Sequence, residues 1–122
     1  MTTKECLQSK IQERNPGIKK KQYENIFNKF LGIKKVLWLS KGIVGDDTHG
    51  HIDDIARFVN EKKIFVAYEE NKNDANYNIL RQNYKILKKY KNKNNLKIVK
   101  IPMPGAKYID NVRVPASYLN FY

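Results

Sequence analysis

The chain of 122 residues has one cysteine, Cys6, one tryptophan and four prolines. A single cysteine excludes an internal disulfide and a multi-cysteine metal centre, and it predicts a reducing, cytoplasmic setting. No apolar run approaches the roughly 20 residues that cross a bilayer, so no membrane partner is expected. Charge interrupts the start at Lys4, Glu5, Lys10, Glu13 and Arg14, which predicts no secretory signal peptide. Low-complexity linkers are lacking too, and the length suits one small domain with its own core.

Acidic residues are scarce, twelve against twenty-four basic ones, for a net charge of +12. Such a surplus invites phosphate, because basic side chains gain affinity by releasing its counterions. The distribution argues against nucleic acid. Residues 1–45 sum to +7, 46–74 to −4, 75–109 to +9 and 110–122 to zero. The chain's ionisable cluster lies in the one acidic segment, where carboxylates dominate the field at contact range and favour a small cation. The lysines read as a solvated surface, and Lys, Asn, Ile and Tyr are all encoded by A+T-rich codons. A small basic nucleic-acid-binding protein using residues 81–100 is the alternative from another class.

That cluster is Gly45-Asp-Asp-Thr-His-Gly-His-Ile-Asp-Asp54, which packs both histidines and four acidic residues into ten positions. A glycine-punctuated loop beside a buried strand presents side chains from a rigid scaffold, as a catalytic site requires. Histidine moves protons near neutrality, and a carboxylate beside it holds a cation or pairs with a guanidinium. If the segment is extended, His51 and Asp53 share a side, and Asp47 folds back across Gly50. A bland alternative is a loop closed by side-chain to backbone bonds. A metal held by Asp47, His49, His51 and Asp53 is chemically allowed, although the spacing matches no zinc signature; no metal and no cofactor are expected.

Apolar periodicity at Tyr23, Ile26, Phe27, Phe30 and Leu31 predicts a helix over 20–31, stopped by Gly32, with that stripe in the core. Lys35–Leu39 reads as a buried strand and 42–50 as a loop. Residues 54–59 read as a strand or a helical turn, and 63–68 as a strand. A helix follows over 75–91, with Asp74 as N-cap and Ile79, Leu80, Tyr84 and Leu87 as its apolar stripe. Asn92–Asn95 reads as a turn, Leu96–Ile101 as a strand ended by Pro102, and Ala116–Tyr122 as a strand that stops short. Residues 54–101 thus form one ββαβ unit.

Several motifs in order resemble agmatine deiminase, of the bacterial peptidylarginine-deiminase-like family in the pentein superfamily. They are Thr2-Thr-Lys-Glu-Cys6, Arg14-Asn-Pro-Gly17, Val36-Leu-Trp-Leu39, Gly42-Ile-Val-Gly-Asp-Asp-Thr48, Gly50-His-Ile-Asp53, Ala56-Arg-Phe58 and Pro115-Ala-Ser-Tyr-Leu-Asn-Phe-Tyr122. The resemblance implies an α/β fold, a partial pentein (α/β propeller) of about two ββαβ-type modules where the complete family fold closes five. Residues 1–45 would end one module, and 46–122 would hold the active-site loop and the next module, in a single partial domain.

Such enzymes hydrolyse agmatine to N-carbamoylputrescine and ammonia in polyamine synthesis. A cysteine thiolate attacks the guanidinium carbon, a histidine serves as acid and base, and carboxylates grip the nitrogens, without a cofactor. By motif position the resemblance implies that His51 is the acid–base histidine and Asp53 the guanidinium-binding carboxylate, counted with it as catalytic. Asp47 would be a further substrate contact, and His49 stands where relatives often carry an acidic residue. The family nucleophile lies near the C-terminus, beyond Tyr122, and Cys6 belongs to an early strand motif instead. A Trp-x-Arg-Asp segment upstream is also missing. The expectation is a central fragment, inactive alone, that associates with the missing segments or forms a homodimer. A protein- or peptidyl-arginine deiminase is the alternative within the family.

Overall fold

A computed structural model describes residues 1–121, with side chains for all but 92–94. The strand expected over Ala116–Tyr122 ends on Tyr122, outside the described residues; up to Phe121 the segment is irregular, with a turn at 118–119. The elements in order are β1 (Thr2–Thr3), α1 (Lys4–Gln8), α2 (Lys20–Leu31), β2 (Trp38–Leu39), β3 (Ala56–Asn60), β4 (Lys63–Tyr68), α3 (Asn76–Asn94), β5 (Lys97–Pro102), β6 (Lys107–Ile109) and β7 (Val112–Val114).

The expected ββαβ unit is present. β3 pairs antiparallel with β4, and β4 pairs parallel with β5 from Lys63 opposite Lys97 to Tyr68 opposite Pro102. A parallel pair needs a crossover, which α3 supplies. β4 is central in the order β3-β4-β5 and buries Ile64, Val66, Ala67 and Tyr68. Leu80 and Leu87, two turns apart on α3, are fully buried in the same core with Leu39, Ile43, Ile55 and Leu119. A fully buried leucine contributes about 1.5–3 kcal/mol, so this cluster is what holds the sheet and α3 together.

β1 pairs parallel with β2, and α2 lies between them in sequence. α2 occupies the predicted span. The Gln22 side chain accepts the Lys19 N–H at 2.8 Å at its start, and Gly32 ends it at φ +65°, where the N–H groups of Gly32 and Ile33 reach the Asn28 and Phe27 carbonyls. Trp38 docks α2 on β2: its Nε1–H donates to Glu24 at 3.0 Å and its ring meets Tyr23 edge-on at 6.3 Å.

Several expectations need correction. The apolar stripe of α2 is core only at Tyr23, which packs on Trp38; Phe30 and Leu31 are 70% and 65% exposed. β2 is two residues, not the five of Lys35–Leu39. α3 continues through Asn94, so the turn expected over Asn92–Asn95 is confined to Asn95, at φ +49°. Its N-cap is Ala75 rather than Asp74, yet Asp74 Oδ1 still accepts the Asn76 N–H at 2.7 Å. The β6–β7 hairpin and α1 carry no signal in the periodicity.

Candidate active site

The loop between β2 and β3 is held from three sides. From α3, Asn83 Oδ1 accepts the Ser40 N–H at 2.8 Å and its Nδ2 donates to the Lys41 carbonyl at 2.7 Å, while Asn76 Oδ1 accepts the Val44 N–H at 2.8 Å. Both asparagines are buried, so each satisfies backbone groups that would otherwise be stranded away from water. From the chain start, Thr3 donates its hydroxyl to the Gly50 carbonyl at 2.6 Å, and Glu5 Oε2 accepts the Gly42 N–H at 2.7 Å. There the loop is pinched: a Cβ at Gly42 would overlap the Gly50 Cα. From the C-terminal side comes the β6–β7 hairpin, and a Cβ at Gly45 would stand 2.5 Å from the Arg113 carbonyl. Arg113 is fixed in turn by both carboxylate oxygens of Asp74, each at 3.0 Å.

Inside the loop Asp46 is the organiser. Its Oδ1 accepts from the Thr48 N–H at 2.9 Å and from the Thr48 hydroxyl, and its Oδ2 accepts the N–H groups of Gly50 and His51, both at 2.8 Å. Burial acts to raise the Asp46 carboxyl, but these donors outweigh it and hold it below its ordinary value. The same balance, with Arg113 and the Asn76 N–H as donors, holds Asp74 low.

His51 is half-buried, and its Nε2 lies 3.1 Å from the guanidinium of Arg14, whose Nη2 also donates to the Thr48 carbonyl at 2.8 Å. Asp53 and Asp54 are half-buried beside it. Burial, then the charges of Asp53 and Asp46, push the Asp54 carboxyl up, while Asn120 and His51 act the other way. The extended geometry expected for 51–53 is not found. Residues 52–55 form a turn in which the N–H groups of Ile55 and Ala56 reach the Ile52 carbonyl at 3.0 and 2.8 Å, so strand alternation does not place Asp53 relative to His51. Asp47 is exposed; its carbonyl lies 3.2 Å from His49 Nδ1, and His49 adopts φ +58°. Among the described residues no group of three or more His, Cys, Asp or Glu side chains is gathered as a metal would require, which leaves the set Asp47, His49, His51 and Asp53 unassembled.

Cys6 sits on α1 rather than on a strand, and near this site. Burial raises its thiol, the Arg14 charge lowers it, and Asp46 and Asp53 raise it again, for a net upward shift. The thiolate is the reactive form, so a raised thiol is a poor nucleophile.

Sequence reasoning missed Asn76, Asn83, Glu5, Thr3 and Asp46 as builders of the loop. A signal existed for the asparagines. Asn76, Leu80, Asn83 and Leu87 recur every three or four residues, so two polar side chains occupy core positions of an apolar stripe, where they must find partners.

The sequence model of the Porphyromonas-type peptidyl-arginine deiminase family matches residues 1–122. The chain belongs to this family. A Legionella pneumophila (strain Paris) relative is 36% identical over 100% of this chain and 35% of its own length. The agmatine deiminase of Medicago truncatula is 32% identical over 100% of this chain and 38% of its own. This family member therefore spans about a third of the length of the curated relatives it matches. In structure it is similar to the agmatine deiminase of C. jejuni with substrate bound, with TM-score 0.87 and 30% identity over 98% of this chain and 34% of that one. The mixed α/β architecture is thus that of the agmatine and peptidyl-arginine deiminases, in agreement with the resemblance seen in the sequence.

Proposed function

We propose that this chain supplies the histidine side of an agmatine deiminase active site in a pentein fold, with His51 as acid and base, Asp53 as guanidinium-binding carboxylate and Asp47 as a further substrate contact. The observation that carries the reading is the loop of residues 42–54, a built structure held by Asn76, Asn83, Glu5 and Thr3, on a chain similar throughout to agmatine deiminases. The chain covers the end of one module, residues 1–45, and the loop with a ββαβ module, residues 46–122. The complete reaction adds water to agmatine and releases ammonia, leaving N-carbamoylputrescine. A thiolate bonds to the guanidinium carbon, the C–N bond breaks, and His51 gives the departing nitrogen its proton. Water, deprotonated by His51, then displaces the sulfur.

The thiolate comes from outside these residues in this reading, because Cys6 is the chain's one cysteine and its thiol is pushed up. The chain alone is therefore inactive and works in association with further segments. The test is a chimera of the Medicago truncatula enzyme in which residues 1–122 replace the matching segment. Ammonia release from agmatine, abolished by His51→Ala and strongly reduced by Asp53→Asn, supports the proposal. A folded chimera that ignores agmatine but deiminates a peptidyl-arginine overturns the substrate, and one that keeps activity with His51→Ala overturns the role of His51.

A further inference from the structure

Arg14 belongs to a motif to which the proposed function gives no task. Its guanidinium reaches the loop from 37 positions earlier, with Nη2 2.8 Å from the Thr48 carbonyl and 3.1 Å from His51 Nε2. The turn that carries it is ordered by its own bonds. Glu13 accepts the Gly17 N–H at 3.0 Å, the Asn15 carbonyl accepts the Ile18 N–H at 3.3 Å, and Asn15 Nδ2 donates to the Tyr23 hydroxyl at 3.2 Å. Tyr23 is buried against Trp38 of β2, the strand from which the loop departs. Arg14 and His51 are therefore placed by a shared support.

A guanidinium carries only donors and stays charged at every pH the fold meets. The contact with Nε2 thus needs that nitrogen to accept, which puts the ring proton on Nδ1. An unconstrained neutral imidazole favours the opposite form, with the proton on Nε2. We propose that Arg14 is a positioning residue that holds His51 as the neutral Nδ1–H tautomer and covers the Nε2 lone pair until the guanidinium is displaced. Asp46, Asp53 and Asp54 bring negative charge to the same region, and Arg14 is the cation set against them. What this means for turnover rests on the proposed role of His51: a proton reaches Nε2 only after Arg14 lets go, and an incoming cation is the natural competitor for that place. The tautomer itself does not depend on that reading.

The experiment is nitrogen NMR of the whole chain with labelled histidine, at a pH above the histidine titration range. There are two histidines, and His49→Asn assigns them. The expected result is His51 with an unprotonated Nε2 and a proton on Nδ1. Arg14→Ala should move the proton to Nε2, Arg14→Lys, which keeps a cationic donor, should restore the Nδ1–H form, and His49 should not respond. A wild-type His51 already protonated at Nε2, or one unchanged in Arg14→Ala, overturns the inference. If Arg14→Ala disorders the loop, seen as displaced Gly50 and His51 amides, Arg14→Lys decides, and an Nε2–H ring in its ordered loop counts against Arg14. Because no substrate is present, failure here leaves the agmatine reading standing, and failure of the chimera leaves the tautomer standing.

Discussion

Asp46 Oδ2 accepts the backbone N–H of His51 at 2.8 Å, so the carboxylate that shapes the loop also fixes the residue the loop presents. Four donors converge on this one side chain. Asp46→Ala should cost about 1–3 kcal/mol of stability, because it strands several of them. Amide hydrogen exchange should show the loss first at Thr48, Gly50 and His51, and unchanged protection there would contradict the organising role.

Asn83 should behave as a clamp rather than as packing. Asn83→Leu keeps the volume and adds apolar surface, yet the Ser40 N–H and Lys41 carbonyl lose their partner. A loss of about 1–3 kcal/mol in urea unfolding is expected. A stabilised leucine variant would show that the asparagine bonds are incidental.

At the neck of the loop, Gly42→Ala should disrupt folding or displace residues 42–51, since the new methyl falls on Gly50. Gly105→Ala is the control, with nothing within 4 Å of its Cβ. Thermal melts of the two variants should differ by several degrees, and equal melting would mean that the neck opens easily.

The pH dependence carries two signs. Asp46 and Asp74 have lowered folded values, so the stability they contribute is full above about 3.9, the unfolded value, and is lost as pH falls through the folded ones. Asp54 is raised, so folding binds its proton more tightly, and charging it weakens the fold as pH rises through the carboxylate range. Asp54→Asn should therefore stabilise the chain near neutrality, whereas Asp74→Asn should destabilise it and flatten the acid limb. Circular dichroism melts across pH 3–7 will read both effects, and a destabilised Asp54→Asn would reverse the argument for that residue.

The edge strand β3 exposes Phe58 and Val59, at 49% and 44%, and among the described residues no strand pairs with its outer side. Exposed apolar edges pair with other chains. The isolated chain should sediment as a concentration-dependent mixture, and Phe58→Lys should shift it toward monomer. A monomeric wild type at high concentration would show that this edge is protected.

The ββαβ unit was legible because its elements have strong local signals. β4 is a β-branched and aromatic run, and α3 carries Leu80, Tyr84 and Leu87 at helical spacing. The candidate loop was legible as a density of ionisable groups, and His51 was singled out within it by its position in a motif that resembles the family's. Its construction was not legible, since the loop's partners come from far along the chain: Glu5 lies 37 positions from Gly42, Asn83 lies 43 from Ser40, and Arg14 lies 37 from His51. Periodicity reports which face of an element is apolar, and it cannot report which distant backbone N–H a buried asparagine will meet. Nor could it foresee the turn at 52–55, where the Ile52 carbonyl captures two amides and removes the strand geometry expected there. The sequence by itself determined α2, α3, the central strands and the chemical character of the loop, because those depend on neighbours within a turn or a strand. Only the tertiary structure decided that Asp46 builds the loop and that Arg14 meets His51, because hydrogen bonds between remote segments exist only once the core has brought them together.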